Sequence, residues 1–121
     1  MVTPIYNPDF IYKVAGRDVF EASRAAGRFL GQPVDHADGY VHFSTAEQLA
    51  ETIRLYFAGL DGQVLFQVAA APLGAALRWE ASRNGALFPH LYGDLPMDAV
   101  LALAHVDVPA DGRLQLPDWV K

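Results

Sequence analysis

The apolar residues of this chain fall in short runs separated by polar breaks, and their spacing is strand-like in some runs and helical in others. Residues 10–14 and 40–43 are rich in aromatic and β-branched side chains, which strands favour. Residues 63–71 are almost continuously apolar, as in a strand covered on both faces. Residues 77–80 alternate apolar and charged positions, which predicts a strand with one face exposed to solvent. A second buried strand is predicted over residues 98–108.

Two segments have helical spacing instead. A long helix is predicted over residues 45–58, and a shorter one over residues 18–26 that ends at Gly27. The apolar stripe of the long helix consists of Leu49, Ile53, Tyr56 and Phe57. Residues 31–39 and 84–96 are predicted to be irregular, and the tail a turn followed by a short edge piece. Because the helices come early and most strands late, the pattern predicts the α+β class.

The junction between residues 40–43 and the long helix is the best specified part of the chain. Ser44 or Thr45 is placed to cap the helix, and Glu47 follows Ser44 by three residues, which is the spacing of a capping box. His42 precedes this junction in the predicted strand. A titratable side chain held between two regular elements is well placed for binding or catalysis.

Length and charge restrict the possible functions. A chain of 121 residues with 52% hydrophobic residues predicts a single domain over residues 1–121. It has no cysteine and a net charge of -5, which excludes disulfides and thiolate sites and argues against DNA as a partner. No apolar run approaches the ~20 residues of a membrane span. No signal peptide is recognisable, so a cytoplasmic location is expected.

His42 has both a structural and a functional interpretation. A strand places Tyr40, His42 and Ser44 on one face, so that face is expected to border solvent or a cleft. The structural alternative is a partly buried histidine that hydrogen-bonds the backbone. Ser44 is explained by helix capping, although such a helix start can also direct an amide at an anionic ligand.

Arg78 and Glu80 lie two residues apart on the strand predicted over residues 77–80, so their side chains share one face of that strand. They are interpreted as a surface ion pair or as a carboxylate lining a pocket with a cation beside it, while Trp79 points to the core. His90 and Tyr92 lie in an irregular segment of the kind that often carries function. The alternative is that this segment covers the open side of the sheet.

Common catalytic and metal motifs are missing. The four histidines and their acidic neighbours do not have HExxH spacing, so no metal ligands are expected. The sequence contains no GxSxG elbow and no glycine-rich phosphate loop of the GxxxxGK[ST] or GxGxxG type.

In combination, several short segments resemble the uncharacterised bacterial "domain of unknown function 952" family across about residues 10–108. These segments are Ile11-Tyr12-Lys13-Val14, Asp38-Gly39-Tyr40-Val41-His42-Phe43-Ser44-Thr45, Leu77-Arg78-Trp79-Glu80 and Phe88-Pro89-His90-Leu91-Tyr92-Gly93-Asp94-Leu95-Pro96. This family has no established activity, so the resemblance implies none for this chain.

More distantly, the chain resembles ADP-ribosyltransferase-like folds, which bind NAD in the cleft of a split, mostly antiparallel sheet. The resemblance implies a nucleotide-like or other anionic ligand, with NAD as a possible cofactor and His42 and Glu80 as catalytic residues. The implied ligand-binding residues are Tyr12, Lys13, Ser44, Thr45, Arg78, His90 and Tyr92. Lys13 stands where those proteins carry a histidine, which favours a non-catalytic ligand- or peptide-binding module. An accessory or oligomerisation domain is a further alternative.

Overall fold

The computed structural model describes residues 8–121, and within them helices and antiparallel strands are mixed, so the α+β class is confirmed. The strands are β1 (Phe10–Gly16), β2 (Val41–His42), β3 (Gln63–Ala69), β4 (Leu77–Ala81), β5 (Leu87–Leu91) and β6 (Val100–Val106). The α-helices are α1 (Arg17–Ala26), α2 (Pro33–Asp38) and α3 (Ala46–Tyr56). Short 3-10 turns occur at Ala71–Ala76, Arg83–Gly85 and Met97–Ala99.

The strands form two three-stranded sheets, ordered β1-β3-β6 and β2-β5-β4, in which every pairing is antiparallel. A bridge between Tyr12 of β1 and Ser44, just beyond β2, joins them. Each of these two residues donates its backbone N–H to the other's carbonyl at 2.8 Å. The sheets therefore meet at this bridge, and the arrangement is split at that point.

Pro89 explains where the split occurs. β2 pairs with β5 through Val41 and His42, and the next residue, Phe43, donates its N–H to the carbonyl of Pro89 at 3.0 Å. Pro89 has no N–H with which to return that bond, so the ladder cannot continue beyond it. The chain then leaves β5, and Ser44 pairs with β1 instead.

The core lies on both faces of the β1-β3-β6 sheet. One cluster contains Phe20, Phe29, Phe66 and Leu91, and the other contains Tyr12, Leu49, Ile53 and Leu65. β3 is buried along its whole middle, as its continuous apolar run predicts. The α3 side is closed by the C-terminal segment, whose Trp119 stacks on the Tyr12 ring at 6.4 Å.

α3 begins one residue later than the Ser44–Glu47 capping box requires. Thr45 is the N-cap, and its hydroxyl accepts from the N–H of Gln48 at 3.2 Å while the Gln48 side chain accepts from the N–H of Thr45 at 3.0 Å. The capping box is therefore formed by Thr45 and Gln48. Ser44 is unavailable for it because its backbone belongs to the bridge with β1.

Several predicted elements differ from the structure. Residues 31–39 contain α2, which has Pro33 at its first position and a left-handed Gly39 (φ 84°) at its end. Residues 84–96 contain β5. The prediction of a buried strand at 98–108 is wrong, because β6 is an edge strand that leaves Leu101 55% exposed. The tail contains no strand within the described chain and packs on α3 instead.

Candidate functional site

A cavity of about 540 Å³ lies at the split between the sheets, beside α3. Its walls come from β1, α2, β2, α3, β5 and the turn after β4. Five of the expected site residues line it, namely Tyr12, Lys13, His42, Ser44 and His90. We call this cavity the cleft. The other four expected residues, Thr45, Arg78, Glu80 and Tyr92, are not among its lining residues.

His42 is held between two carboxylates. Its Nδ1 lies 2.7 Å from Oδ1 of Asp35, and its Nε2 lies 2.8 Å from Oδ2 of Asp38. Both ring nitrogens are therefore hydrogen-bonded to carboxyl groups, which fixes the orientation of the ring. The Asp35 side chain is buried and the Asp38 side chain is 45% exposed, so Asp38 is the partner that solvent reaches.

Asp35 is the centre of the buried network. Its Oδ1 also accepts from Nζ of Lys13 at 3.1 Å and from the N–H of His42 at 3.0 Å, and its Oδ2 accepts from the N–H of Gln32 at 2.7 Å. Burial raises the pKa of Asp35, but the contacts with His42, Lys13 and Gln32 outweigh it and lower the pKa to about 2. The carboxylate therefore stays ionised and fixes the orientation of His42.

Lys13 is committed to the same network. Its ammonium contacts Asp35 and donates to the carbonyl of His42 at 2.8 Å, and its side chain is 6% exposed. Burial lowers the pKa of Lys13, and the neighbouring Asp35 carboxylate opposes that shift. Lys13 thus lines the wall of the cleft, but its ammonium is already bonded to Asp35 of α2 and to His42 of β2, and it links these two elements.

A row of polar and aromatic side chains covers the same face of the second sheet. His42 is paired with His90, and His90 with Arg78, so these three side chains share one face. The rings of His42 and His90 are 5.5 Å apart. Tyr40 lies against both, with its ring 4.5 Å from His42 and 4.2 Å from His90. Tyr40 therefore covers the two histidines on this face.

Glu80 completes the row. Its Oε1 accepts from the Tyr92 hydroxyl at 2.7 Å and from Nδ1 of His90 at 2.9 Å. These two hydrogen bonds lower the pKa of Glu80, and the bond to Glu80 raises the pKa of Tyr92. The guanidinium of Arg78 lies 4.6 Å from the Tyr92 ring. Glu80 therefore binds His90 and Tyr92, and it does not form the surface ion pair with Arg78 that was one interpretation.

Lys13, His42 and Glu80 belong to one connected series of contacts. They are linked by contacts that run from Lys13 to His42, from His42 to His90, and from His90 to Glu80. The cleft and the polar row are therefore continuous at the two histidines.

Two expected ligand-binding residues have structural roles. The ring of Tyr12 is buried and stacks on Trp119, so the face that was expected to stack on a ligand is occupied. The Tyr12 hydroxyl accepts from the N–H of Lys121 at 3.0 Å. Thr45 is buried and spends its hydroxyl on capping α3. These two side chains therefore hold the cleft walls in place.

The sequence interpretation missed several polar residues at the cleft. Asp35 and Asp38 fall in a segment that was predicted to be a loop, although Pro33 and Gly39 have the positions that begin and end a helix. Tyr56 was assigned to the core, but it is 63% exposed at the rim of the cleft. Arg83 was not among the expected site residues, because its place in the cleft depends on the turn after β4.

Residues 8–121 contain no group of three or more His, Asp or Glu residues placed to hold a metal ion. Within the same range, no helix has the length and hydropathy to cross a bilayer.

The chain is similar to solved structures of protein CC0527 from Caulobacter crescentus. The crystal structure is 48% identical, covers 88% of this chain and 93% of that one, and has a TM-score of 0.83. The solution NMR structure is 48% identical, covers 87% and 90% of the two chains, and has a TM-score of 0.76.

No curated protein matches the chain. The family model described as "Protein of unknown function (DUF952)" matches residues 14–103, in agreement with the resemblance carried by the sequence motifs. The chain therefore belongs to the DUF952 family.

Proposed function

We propose that the cleft binds a small molecule that is nucleotide-like or otherwise anionic, with NAD as one candidate. The observation that carries this proposal is a cavity of about 540 Å³ lined by both apolar and charged side chains. Cavities of roughly 300–1,000 Å³ that combine apolar walls with a few convergent polar groups are typical of small-molecule sites.

The rim supports the proposal because it exposes large apolar side chains. Val34, Tyr56 and Leu60 line the cleft and are 52%, 63% and 44% exposed. Apolar side chains left in water around a concavity mark surfaces that a ligand covers. The Tyr56 ring has the exposed aromatic face that stacking on a base or nicotinamide ring requires.

The charge of the cleft favours an anion. Among the described residues that line it, the cationic or titratable basic side chains are Lys13, His42, Arg83 and His90, and the one carboxylate is Asp38. Lys13, His42 and His90 are each in contact with a carboxylate, whereas Arg83 reaches the Glu51 carboxylate only at 4.0 Å. Arg83 is therefore the basic group of the cleft that attracts an anionic ligand.

The test is a titration of the full chain with NAD, ADP-ribose and AMP, followed by thermal shift and by amide chemical shifts. We expect stabilisation together with shifts at Tyr56, His42 and His90. Tyr56→Ala should weaken binding about tenfold through the loss of one stacked ring, at little cost in stability. Leu55→Ala is the matched control, since Leu55 is the neighbouring exposed residue on α3 and does not line the cleft.

Absence of any shift with all three probes would contradict nucleotide binding. Equal effects of the Tyr56 and Leu55 variants would place the ligand outside the cleft.

A second candidate function is transfer of an ADP-ribosyl or other glycosyl group. It is favoured by the contact between His90 and Glu80 and by the closeness of His42. In such a reaction the bond between the ribose C1 and nicotinamide breaks, and an acceptor bonds to the same carbon. Glu80 would hydrogen-bond a ribose hydroxyl and stabilise the positive charge of the transition state. His42 would position the substrate or exchange a proton with the acceptor.

Release of nicotinamide from NAD distinguishes this candidate from a non-catalytic binding module. Turnover that Glu80→Gln abolishes while NAD affinity is kept would support transfer. Binding without turnover would support the module.

A further inference from the structure

Arg83 uses little of its hydrogen-bonding capacity. It lines the cleft, its side chain is 17% exposed, and it donates one hydrogen bond, to Oγ1 of Thr52 at 3.3 Å. The Glu51 carboxylate approaches it only to 4.0 Å, at the limit of an ion pair. A guanidinium has five N–H groups, so most of its donors remain for another partner.

Two hydroxyl groups lie beside the guanidinium on the cleft wall. Thr52 Oγ1 is 3.1 Å from Oγ of Ser44, so Arg83, Thr52 and Ser44 form a continuous hydrogen-bonded chain along the wall. The ring of Phe88 lies 4.9 Å from the guanidinium carbon and helps to fix its plane. The three side chains come from the turn after β4, from α3 and from the end of β2, and the fold alone brings them together.

Lys13 provides the contrast within the same cleft. Its ammonium is already paired with Asp35 and the His42 carbonyl, whereas Arg83 has no hydrogen-bonded carboxylate among the described residues. Of the two cations, Arg83 is therefore the one with hydrogen-bond donors left for an anion that enters the cleft.

We propose that Arg83, Thr52 and Ser44 form a subsite for the phosphate group of the ligand, an inference that rests on the proposed function of the cleft. A guanidinium fork binds two phosphate oxygens at once, and the bonded pair of hydroxyls keeps one proton to donate to a third. A planar carboxylate would leave part of this donor set unused. The ligand class is thereby narrowed to phosphorylated small molecules.

The first experiment titrates the full chain with inorganic phosphate and follows amide chemical shifts, with sodium chloride of equal ionic strength as the reference. We expect phosphate-specific shifts at Ser44, Thr52 and Arg83 that disappear in Arg83→Gln. Arg54→Gln is the matched control, because Arg54 also contacts Glu51, at 3.5 Å, yet lines a separate cavity. Shifts that chloride reproduces, or that survive in Arg83→Gln, would overturn the subsite.

The second experiment compares AMP with adenosine, which differ by the phosphate. The wild type should bind AMP about tenfold more tightly, and Arg83→Gln should remove that difference while leaving adenosine affinity unchanged. Arg83→Lys should retain part of it, since the charge remains and the fork is lost. If Arg83→Gln disturbs folding, Thr52→Val tests the same subsite, and a selective loss of AMP affinity is again expected.

The outcomes separate the two proposals. Equal binding of AMP and adenosine by the wild type would overturn the phosphate subsite and leave ligand binding in the cleft intact. Phosphate-specific shifts without binding of either nucleoside compound would support the subsite and contradict the nucleotide-like ligand.

Discussion

His42 and His90 lie directly opposite each other on β2 and β5, and each directs its Nδ1 at a carboxylate. The carboxylate behind His42 is Asp35, which is buried, whereas the Glu80 side chain behind His90 is 37% exposed. His42 is therefore oriented by a buried carboxylate, and His90 by a carboxylate that solvent reaches.

Asp35 should make the stability of the protein depend on acidity between about pH 4 and pH 2. Its pKa falls from an ordinary 3.8 to about 2 in the folded chain, so the folded carboxylate binds its proton less readily than the unfolded one. The stabilisation is complete above the unfolded pKa and is lost as the pH falls through the folded pKa. Over that range we expect about 2–3 kcal/mol of unfolding free energy to disappear.

The measurement is urea unfolding of the wild type and of Asp35→Asn at pH 5, 4, 3 and 2. The variant should lack the pH-dependent stabilisation that Asp35 provides, so its free energy of unfolding should fall less over this range. Asp38→Asn is the control, since its carboxylate is exposed and contacts the same histidine. Parallel pH profiles for the wild type and Asp35→Asn would show that Asp35 has no shifted pKa.

Lys13 and Asp35 should be strongly coupled. Lys13→Met leaves the buried Asp35 carboxylate with His42 and backbone N–H groups as its partners, and Asp35→Asn leaves a buried ammonium without a carboxylate. Each change should therefore cost up to about 3–5 kcal/mol. The double variant removes both charges and should cost less than the sum by about 1–3 kcal/mol. A double-mutant cycle in denaturant measures this difference, and strictly additive costs would mean that the pair contributes nothing specific.

Gly112 should tolerate a side chain far less well than Gly27. Both have positive φ values, 75° and 81°, but a Cβ on Gly112 would lie 2.7 Å from the Cα of Arg54, whereas nothing lies within 4 Å at Gly27. Gly27→Ala should therefore cost only the left-handed strain, about 1–2 kcal/mol. Gly112→Ala should cost at least about 1 kcal/mol more, because backbone must move. Thermal unfolding of the two variants tests this order, and equal costs would contradict the close approach.

Trp119 should anchor the C-terminal segment to the core. Its ring stacks on Tyr12, and its carbonyl accepts from Nε2 of Gln67 at 2.9 Å. Trp119→Ala should cost about 1–3 kcal/mol for a partly buried ring. Leu101→Ala on the exposed face of β6 should change the free energy of unfolding by less than about 0.5 kcal/mol. A Trp119 variant as stable as the Leu101 variant would show that the tail is not anchored there.

Sequence patterns predict an element best where a single local signal dominates. The continuous apolar run of β3 and the helical spacing of α3 are of this kind. β5 was missed because Pro89 normally argues against a central strand. In the fold Pro89 lies where the pairing of β2 with β5 stops. Its missing N–H ends the hydrogen bonding between these strands, and the two sheets separate at that point.

The candidate site was partly accessible from the sequence. The alternation around His42 predicted that its side chain lies on a polar face, and the two-residue spacing predicted a shared face for Arg78 and Glu80. The partners of these residues were not accessible in the same way. Asp35 and Arg83 reach the cleft from segments that are 7 and 41 residues from His42 in the sequence, and no local rule couples such segments.

By itself, the sequence determined the α+β class, the main helices, the buried strand β3 and the face on which His42 lies, because these depend on hydrophobic periodicity over a few neighbouring residues. Only the tertiary structure decided that Lys13 is neutralised by Asp35, that Tyr12 stacks on Trp119 and that Arg83 remains available in the cleft. Those outcomes depend on which side chains the packing brings within hydrogen-bond distance. The physical reason is that burial and pairing are properties of contacts between distant segments, and the order of residues alone does not specify them.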